Sequence, residues 1–431
     1  MKRFLSLLLV AALCLSLTSA ALADGTVEID FWCQWGAEEF YNEVAEKFMA
    51  ENPGVKVNVL QIPFWDYGTK LDPSLVTGVA ADVFTYSSNS THAAQGYTAA
   101  IDDYLKASKY YDPSAISQAA VEGFMYDGKT YGLPLTVNTQ LLAYNKDLFA
   151  AAGLDPECPP KTWEEVLEYA RKITKIGEDG SIEILGFHPL YDAGLSAQKY
   201  LKLFGVDCLD GEKCAFNTEA GIYCFKTLLA FNEVASYEQM TAYQEIANAE
   251  YATTNINYFE AGKVGMIMCG DDQNGLLMNK GLSLNIGVTQ LPTGGDNTQR
   301  VALGSSFGFE FTWHGSEERL QAAVDFAAFV LNEENSLKYA QIYANQMSNN
   351  AARAAYNSSV PAVCDNYWDV VEAAAATNVT IPNCLAYPSY DAVLTDELRA
   401  MFRGEKTAEQ ALADAEYKIT LEIENYHIFN D

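Results

Sequence analysis

Basic residues are scarce in this chain of 431 residues, in which 27 lysines and arginines stand against 57 aspartates and glutamates. The formal net charge is −30 at pH 7. Nucleic acids and anionic membrane surfaces are bound through contacts rich in lysine and arginine, so the composition argues against both kinds of partner. The same imbalance fits a soluble, exported protein that stays monomeric.

Histidine and cysteine are also few. The four histidines, at positions 92, 188, 314 and 427, stand apart from one another, and no two cysteines have the C-x-x-C spacing of a zinc site. We therefore expect neither a metal site nor a cofactor. An exported chain can form disulfides, and Cys208–Cys214 and Cys364–Cys384 are the pairs to test, while reduced thiols remain the alternative.

A long apolar run occurs only at the start of the chain. Lys2 and Arg3 precede an apolar stretch over residues 4–17, and residues 21–23 read Ala-Leu-Ala, so residues 1–23 have the pattern of a cleaved signal peptide. No later run reaches about 18 apolar residues, the length that a membrane-spanning helix needs. Cys14 lies inside the apolar stretch and follows a leucine, which leaves a lipid anchor as the less favoured alternative.

A chain of this length is expected to hold two or three domains, since a single hydrophobic core rarely grows beyond about 250–300 residues. Residues 26–31 alternate between apolar and polar side chains as a strand does, residues 38–49 have the apolar spacing of a helix, and residues 55–59 alternate again. This order predicts a βαβ unit and a parallel sheet. The fold class is therefore predicted to be α/β.

Polar and aromatic side chains follow two of the predicted strands. Gln34 and Trp35 come after the first strand, and Tyr86 and Asn89 come after a third strand predicted over residues 81–86. Parallel sheets bind ligands beyond the carboxyl ends of their strands. We therefore expect these four side chains to lie on one rim.

Two further groups stand out in the sequence. Residues 62–67 form an aromatic cluster that contains Trp65 and is too irregular for a strand. Asp271 and Asp272 follow a strand predicted over residues 263–269. Paired carboxylates at a strand end are either a site or solvated loop acids, and the sequence leaves both readings open.

One motif suggests nucleotide binding, but its surroundings do not fit. Residues 123–130 match the phosphate-binding pattern GxxxxGK[ST], which requires a helix after the loop. A proline at position 134 and the apolar residues beyond it predict extended chain instead. Asp127 and Gly128 therefore predict a hairpin turn.

A second motif suggests a hydrolase. Residues 304–308 match the nucleophile pattern GxSxG around Ser306, which requires a helix after the serine. Residues 309–313 alternate as a strand instead. Hydrolase chemistry at Ser306 is therefore not expected.

Residues 127–134, 142–149, 152–154 and 160–165 read DGKTYGLP, LAYNKDLF, AGL and PKTWEE. In this order they resemble the extracellular solute-binding proteins of ABC transporters, family 1, the group that contains maltose- and oligosaccharide-binding proteins. Further likeness in residues 48–59 and in the tail at residues 380–423 extends the resemblance over essentially all of the mature chain. Each motif alone is moderately specific, and their order together is strongly so.

The resemblance implies a two-lobed, periplasmic-binding-protein-like fold of type II, with a ligand cleft between the lobes and a hinge that closes on binding. Each lobe is then discontinuous in sequence. By this analogy, residues 24–135 and 289–344 form the N-terminal lobe, and residues 136–288 and 345–431 form the C-terminal lobe.

The candidate ligand-binding residues are Gln34, Trp35, Trp65, Tyr86, Asn89, Asn138, Tyr191, Asp271, Asp272, Ser306 and Tyr390. Aromatic rings pack against the C–H faces of pyranoses, and amides, carboxylates and hydroxyls bind the sugar hydroxyls. Asn138 stands where the resemblance implies a carboxylate in maltose binders, which puts maltose itself in doubt. Asp271 and Asp272 occupy a region where a stacking tryptophan is common, which favours hydrogen bonding or a cationic or small polar ligand.

The resemblance implies a non-enzymatic, periplasmic or cell-surface subunit of an ABC importer that captures a mono- or oligosaccharide and delivers it to the permease. A secreted carbohydrate-active enzyme is the alternative from another class. Within the same fold, the alternative is a binding protein for a non-sugar solute such as a polyamine. A sensor that signals to a membrane kinase has the same sequence pattern as a transport subunit.

Overall fold

The structure, a computed structural model, describes residues 25–34, 37–87, 91–191, 195–271, 280–282, 284–360, 362, 364–379 and 389–430, without the side chains of residues 64, 65, 305, 378, 429 and 430. Strands β1 to β14 span Val27–Cys33, Val55–Gln61, Val83–Ser87, Met125–Tyr126, Lys129–Thr130, Gly132–Asn145, Lys175–Ile176, Ile182–Ile184, Leu209–Asp210, Lys213–Cys214, Met266–Gly270, Ile286–Gln290, Ala302–Phe311 and Asn378–Val379. Helices α1 to α16 span Glu38–Glu51, Phe64–Thr77, Thr91–Ala94, Asp102–Ala107, Gln118–Glu122, Lys146–Ala151, Trp163–Ile173, Ala197–Leu203, Glu219–Leu229, Tyr237–Thr254, Glu317–Val330, Glu333–Tyr343, Asn350–Ser359, Tyr367–Ala375, Tyr390–Phe402 and Ala408–Asn430.

The main sheet begins with the βαβ unit that the sequence pattern predicts. β1 pairs in parallel with β2 on one side and with β3 on the other, which confirms this prediction. α1 joins β1 to β2 and buries Phe40, Val44 and Phe48, the apolar residues at helical spacing. The strand order is β11-β6-β13-β3-β1-β2, and β12 and β14 add to β6 and β13.

Two long strands, β6 and β13, connect two hydrophobic cores. In β6, Leu135 packs in a first core with α1 and α11, whereas Leu142 packs in a second core with α7, α8 and α15. In β13, Phe309 packs in the first core and Leu303 in the second. β6 and β13 run antiparallel to each other. The two strands therefore pass side by side from one lobe to the other.

Both enzyme-like motifs have the structures that the sequence predicts. Asp127 and Gly128 form the two-residue turn of the β4–β5 hairpin, with φ values of 47° and 72°. Positive φ at both positions suits this tight turn and is easiest for glycine and aspartate or asparagine. Ser306 lies inside β13 rather than at a turn between a strand and a helix. The hairpin and strand predictions are confirmed.

Cys208 and Cys214 are not joined by a disulfide, and the β9–β10 ribbon explains why. Cys214 pairs with Leu209, and the N–H of Ala215 donates to the carbonyl of Cys208. Because neighbouring residues of a strand point to opposite faces, the two sulfur-bearing side chains leave the ribbon on opposite sides. Cys384, from the other candidate pair, lies outside the described residues.

Candidate functional site

The carboxyl ends of β1 and β3 bring Gln34 and Tyr86 together. The side chain of Gln34 is buried, and its Nε2 lies 3.4 Å from the main-chain oxygen of Thr85. Tyr86, the next residue, is half-buried, and burial raises the pKa of its hydroxyl. The neutral phenol of Tyr86 beside the amide of Gln34 offers both an aromatic face and hydrogen-bonding groups at the carboxyl ends of β1 and β3.

His92 and Glu310 form a buried pair of titratable side chains, and the His92 ring packs against the Tyr86 ring. The His92 ring centroid is 4.8 Å from that of Tyr86, and His92 Nδ1 is 2.7 Å from Glu310 Oε2. Burial raises the pKa of the Glu310 carboxyl, and the bond to His92 opposes this shift. The sequence analysis missed this pair. The one feature of the sequence that could have indicated the pair is Glu310 itself, a charged residue between Phe309 and Phe311.

Asn138 and Ser306 lie on the two strands that cross between the lobes. Ser306 pairs with Val137, and Asn138 pairs with Ser305. Residues that pair directly share a face of the sheet and their neighbours take the other face, so the Asn138 and Ser306 side chains point in opposite directions. Asn138 is half-buried, and Ser306 is 8% exposed.

Asp271 follows β11 and hydrogen-bonds the end of this strand to β6, which crosses between the lobes. Its Oδ2 accepts a hydrogen bond of 3.0 Å from the main-chain N–H of residue 139, and its main-chain oxygen accepts one of 3.0 Å from the Tyr367 hydroxyl. The residue is 3% exposed. A carboxylate held in this way is suited to orient the strand end.

Arg353, which the sequence analysis did not single out, lies near Asp271. Its guanidinium donates to the main-chain oxygen of Met347 and to Asn350 Oδ1, each at 2.7 Å. Burial lowers the pKa of Arg353, while the carboxylates of Asp271 and Glu372 oppose that shift. The crossing region therefore brings the Arg353 guanidinium near the buried Asp271 side chain.

Tyr191 and Tyr390 pack inside the second lobe. The Tyr191 ring lies 5.8 Å from that of Tyr243, and burial raises the pKa of Tyr191 to about 12. Tyr390 is 1% exposed at the start of α15, and its hydroxyl donates to Gln198. The remaining candidates, Trp35, Asn89 and Asp272, lie outside the described residues, as does the side chain of Trp65 in the first turn of α2.

Comparison with known proteins gives the family. Residues 43–362 match the model of the bacterial extracellular solute-binding proteins, over well more than half of the chain. The chain belongs to this family. As a member of an extracellular family it is an exported protein. Among the helices of the described residues, none is long and apolar enough to cross a membrane.

One curated relative of this solute-binding protein is the sn-glycerol-3-phosphate-binding periplasmic protein UgpB of Escherichia coli. The two are 32% identical over 182 residues, which make up 39% of this chain and 40% of the relative. The chain thus aligns with about two fifths of that protein's length.

Solved structures show the fold over nearly the whole chain. The protein CpMnBP1 with mannotriose bound gives a TM-score of 0.74 at 24% identity, covering 91% of this chain and 100% of that one. The ABC substrate-binding protein Lmo0181 from Listeria monocytogenes, in complex with cycloalternan, gives a TM-score of 0.75 at 22% identity, covering 93% and 99%. The predicted two-lobed, periplasmic-binding-protein-like α/β fold is confirmed.

Proposed function

We propose that this protein is the solute-binding subunit of an ABC importer, which captures a carbohydrate between its lobes and delivers it to the permease. The observation that carries the proposal is the placement of Tyr86 beside β13, one of the strands that cross between the lobes, with the Gln34 amide next to it. An aromatic face next to amide groups suits the C–H faces and hydroxyls of a sugar. Two structures with this fold hold oligosaccharides, mannotriose and cycloalternan.

The lobes are proposed to close on the ligand by rotation about the crossing segments. Leu291 and Leu303 pack in the second core, and Tyr356 packs in the first. This packing supports a second crossing within β13 and a third crossing after α13, in place of the lobe boundaries at residues 288/289 and 344/345 that the resemblance implies. The first crossing is proposed to lie in β6 near Asn138.

A carrier without catalytic activity is favoured over a secreted glycosidase. Glycosidases use two carboxyl groups about 5–10 Å apart on either side of the scissile bond. Asp271 is nearly fully buried and accepts a main-chain hydrogen bond, which suits a role in holding the strand end. We therefore propose a monomeric, cell-surface or periplasmic carrier that releases its ligand unchanged.

A ligand screen tests this proposal. Oligosaccharides and monosaccharides are expected to raise the melting temperature of the purified protein, whereas polyamines, amino acids and glycerol 3-phosphate are expected to leave it unchanged. Stabilisation by one of those other classes alone would contradict a carbohydrate ligand. Incubation with the best oligosaccharide, followed by chromatography, is expected to return it intact, and cleavage products would indicate an enzyme instead.

Tyr86→Ala is expected to weaken binding of the best sugar about tenfold, because the variant loses one aromatic face. Isothermal titration calorimetry measures the change. Tyr417→Ala is a matched control, since Tyr417 is 69% exposed on α16, and its affinity is expected to equal that of the wild type. Equal affinities for the wild type and Tyr86→Ala would remove Tyr86 from the site.

A further inference from the structure

Tyr86 has a glycine as its cross-strand partner on β13. Tyr86 pairs with Gly308, and Phe84, two residues earlier on β3, pairs with Glu310. Residues that pair directly share a face of the sheet with the residues two positions away, so Tyr86, Phe84 and Glu310 lie on one face. Cross-strand side-chain pairs help to hold the rings of a sheet in place, but a glycine has no side chain with which to do so. The Tyr86 ring therefore needs support from another residue.

His92 supplies this support and is itself held by Glu310. The centroid of the His92 ring lies 4.8 Å from that of Tyr86 and 6.1 Å from that of Phe84. In addition, His92 Nδ1 lies 2.7 Å from Glu310 Oε2. The exposed fraction is 9% for the His92 side chain and 2% for that of Glu310. The imidazole therefore cannot turn away from the Tyr86 ring without breaking a buried hydrogen bond.

Stability alone does not account for a titratable pair at this place. Phe309 and Phe311 pack in the first core on either side of Glu310 in the sequence, and an apolar side chain at position 310 would cost less free energy to bury than a carboxyl group. Exchanging a buried charged pair for apolar residues is often neutral or stabilising. An apolar pair cannot supply a directional hydrogen bond, which fixes the angle of one ring beside another.

We propose that His92 and Glu310 are positioning residues of the ligand site, which hold the Tyr86 ring in the orientation that packs against the sugar. This inference rests on the proposed carbohydrate-binding function. His92 and Glu310 do not contact the sugar themselves, so the ligand need not reach their buried atoms. Because the ring is already oriented in the unliganded protein, Tyr86 loses little side-chain freedom when the sugar binds, and this preorganisation increases affinity.

Two substitutions of Glu310 separate the hydrogen bond from the charge. Glu310→Met removes the bond and leaves the His92 ring free to turn, so the affinity for the best sugar of the ligand screen is expected to fall about fivefold. Glu310→Gln removes the charge but keeps an amide that can accept from Nδ1 or donate to it, whichever tautomer His92 has. This variant is expected to retain wild-type affinity. Calorimetric titration measures both affinities.

His92→Asn tests the other half of the pair. The asparagine amide can still bond Glu310, but it presents no ring to Tyr86, so the affinity is expected to fall as in Glu310→Met. Arg319→Lys is the control for a general loss of stability, since Arg319 donates two hydrogen bonds to the buried Asp82 in the same lobe and lysine cannot reproduce this fork. Its melting temperature is expected to fall while its sugar affinity stays at the wild-type value.

A double-mutant cycle determines whether the pair acts through Tyr86. In the Tyr86→Ala background the ring that His92 positions is gone, so Glu310→Met and His92→Asn are expected to cause no further loss of affinity. A pair with a merely structural role would weaken binding by the same factor in both backgrounds.

Three results overturn the inference and leave the proposed function intact. Wild-type affinity in both Glu310→Met and His92→Asn shows that the ring needs no positioning. The same loss with and without Tyr86, or a comparable loss in Arg319→Lys, shows that binding follows the stability of the lobe. An equal loss in Glu310→Gln shows that the carboxylate acts by its charge. A wild-type protein that binds no carbohydrate contradicts instead the proposed function, and with it the sugar assigned to Tyr86.

Discussion

Replacing His188 with asparagine is expected to make the protein more resistant to acid unfolding. His188 is 1% exposed, and its ring lies 5.5 Å from that of Phe402 in the second lobe. Burial lowers the pKa of His188 from 6.5 to about 3. The folded protein therefore keeps this imidazole neutral in a pH range in which the unfolded chain binds a proton.

The sign of the effect follows from this difference in proton binding. Above pH 6.5 the imidazole is neutral in both states, and His188 adds no pH dependence. As the pH falls from 6.5 towards 3, only the unfolded chain takes up the proton, so the free energy of unfolding decreases. A pKa difference of this size corresponds to a loss of about 5 kcal/mol at the acid end.

Asparagine is the informative replacement because it keeps the hydrogen bond from the Leu190 N–H and removes the titratable imidazole. His188 Nδ1 accepts a hydrogen bond of 3.1 Å from the N–H of Leu190, and an asparagine oxygen at this position can accept the same bond. The loss of ring packing is expected to cost about 1–2 kcal/mol at pH 7. The variant is thus expected to be less stable than the wild type at neutral pH and more stable near pH 4.

Urea denaturation at pH 7, 5 and 4 measures the predicted crossing of the two stability curves. Val79→Asn is the control, since Val79 is 66% exposed and neither side chain titrates, so the stability curve of this variant is expected to run parallel to that of the wild type. If the His188→Asn and wild-type curves run parallel from pH 7 to pH 4, burial does not suppress protonation of His188, and the explanation is wrong.

Local sequence patterns predict the first lobe well because its elements repeat their apolar residues regularly. β1, α1 and β2 lie within about two residues of the predicted ranges. α13 has few large apolar residues to reveal it: it buries only Ala352 and Tyr356, and its other residues are small or polar. Its stability comes from packing against α12 and the first core, which no local pattern records.

The candidate site is predictable only in part, because some of its contacts join segments that are far apart in the sequence and leave no local pattern. Gln34 and Tyr86 can be placed together because strand ends in parallel sheets share one edge. The separation of Ser306 from Asn138 depends on a register shift between Phe307 and Gly308, which the sequence pattern does not show. His92 and Glu310 are 218 residues apart, so their contact requires the whole first lobe to fold.

Gly308→Ala is expected to lower the free energy of unfolding by about 3 kcal/mol. A β-carbon at this position would lie 2.0 Å from the carbonyl oxygen of Leu133 and 2.8 Å from Cα of Pro134. Both atoms belong to the neighbouring strand, so relief requires the backbones to separate. At Gly287, by contrast, the added carbon would meet the Tyr144 ring and not the backbone of the neighbouring strand.

The position of Gly308 predicts a second effect, on ligand binding. Gly308 lies at the register shift between the two strands that cross between the lobes, so backbone separation there changes the direction in which β6 enters the second lobe. Sugar affinity at 10 °C, where the variant is still folded, is therefore expected to fall along with stability. Gly54→Ala is the control, because a β-carbon there meets no atom within 4 Å. If Gly308→Ala melts at the wild-type temperature, the strands tolerate the added carbon, and close contact at the shift is not what fixes their register.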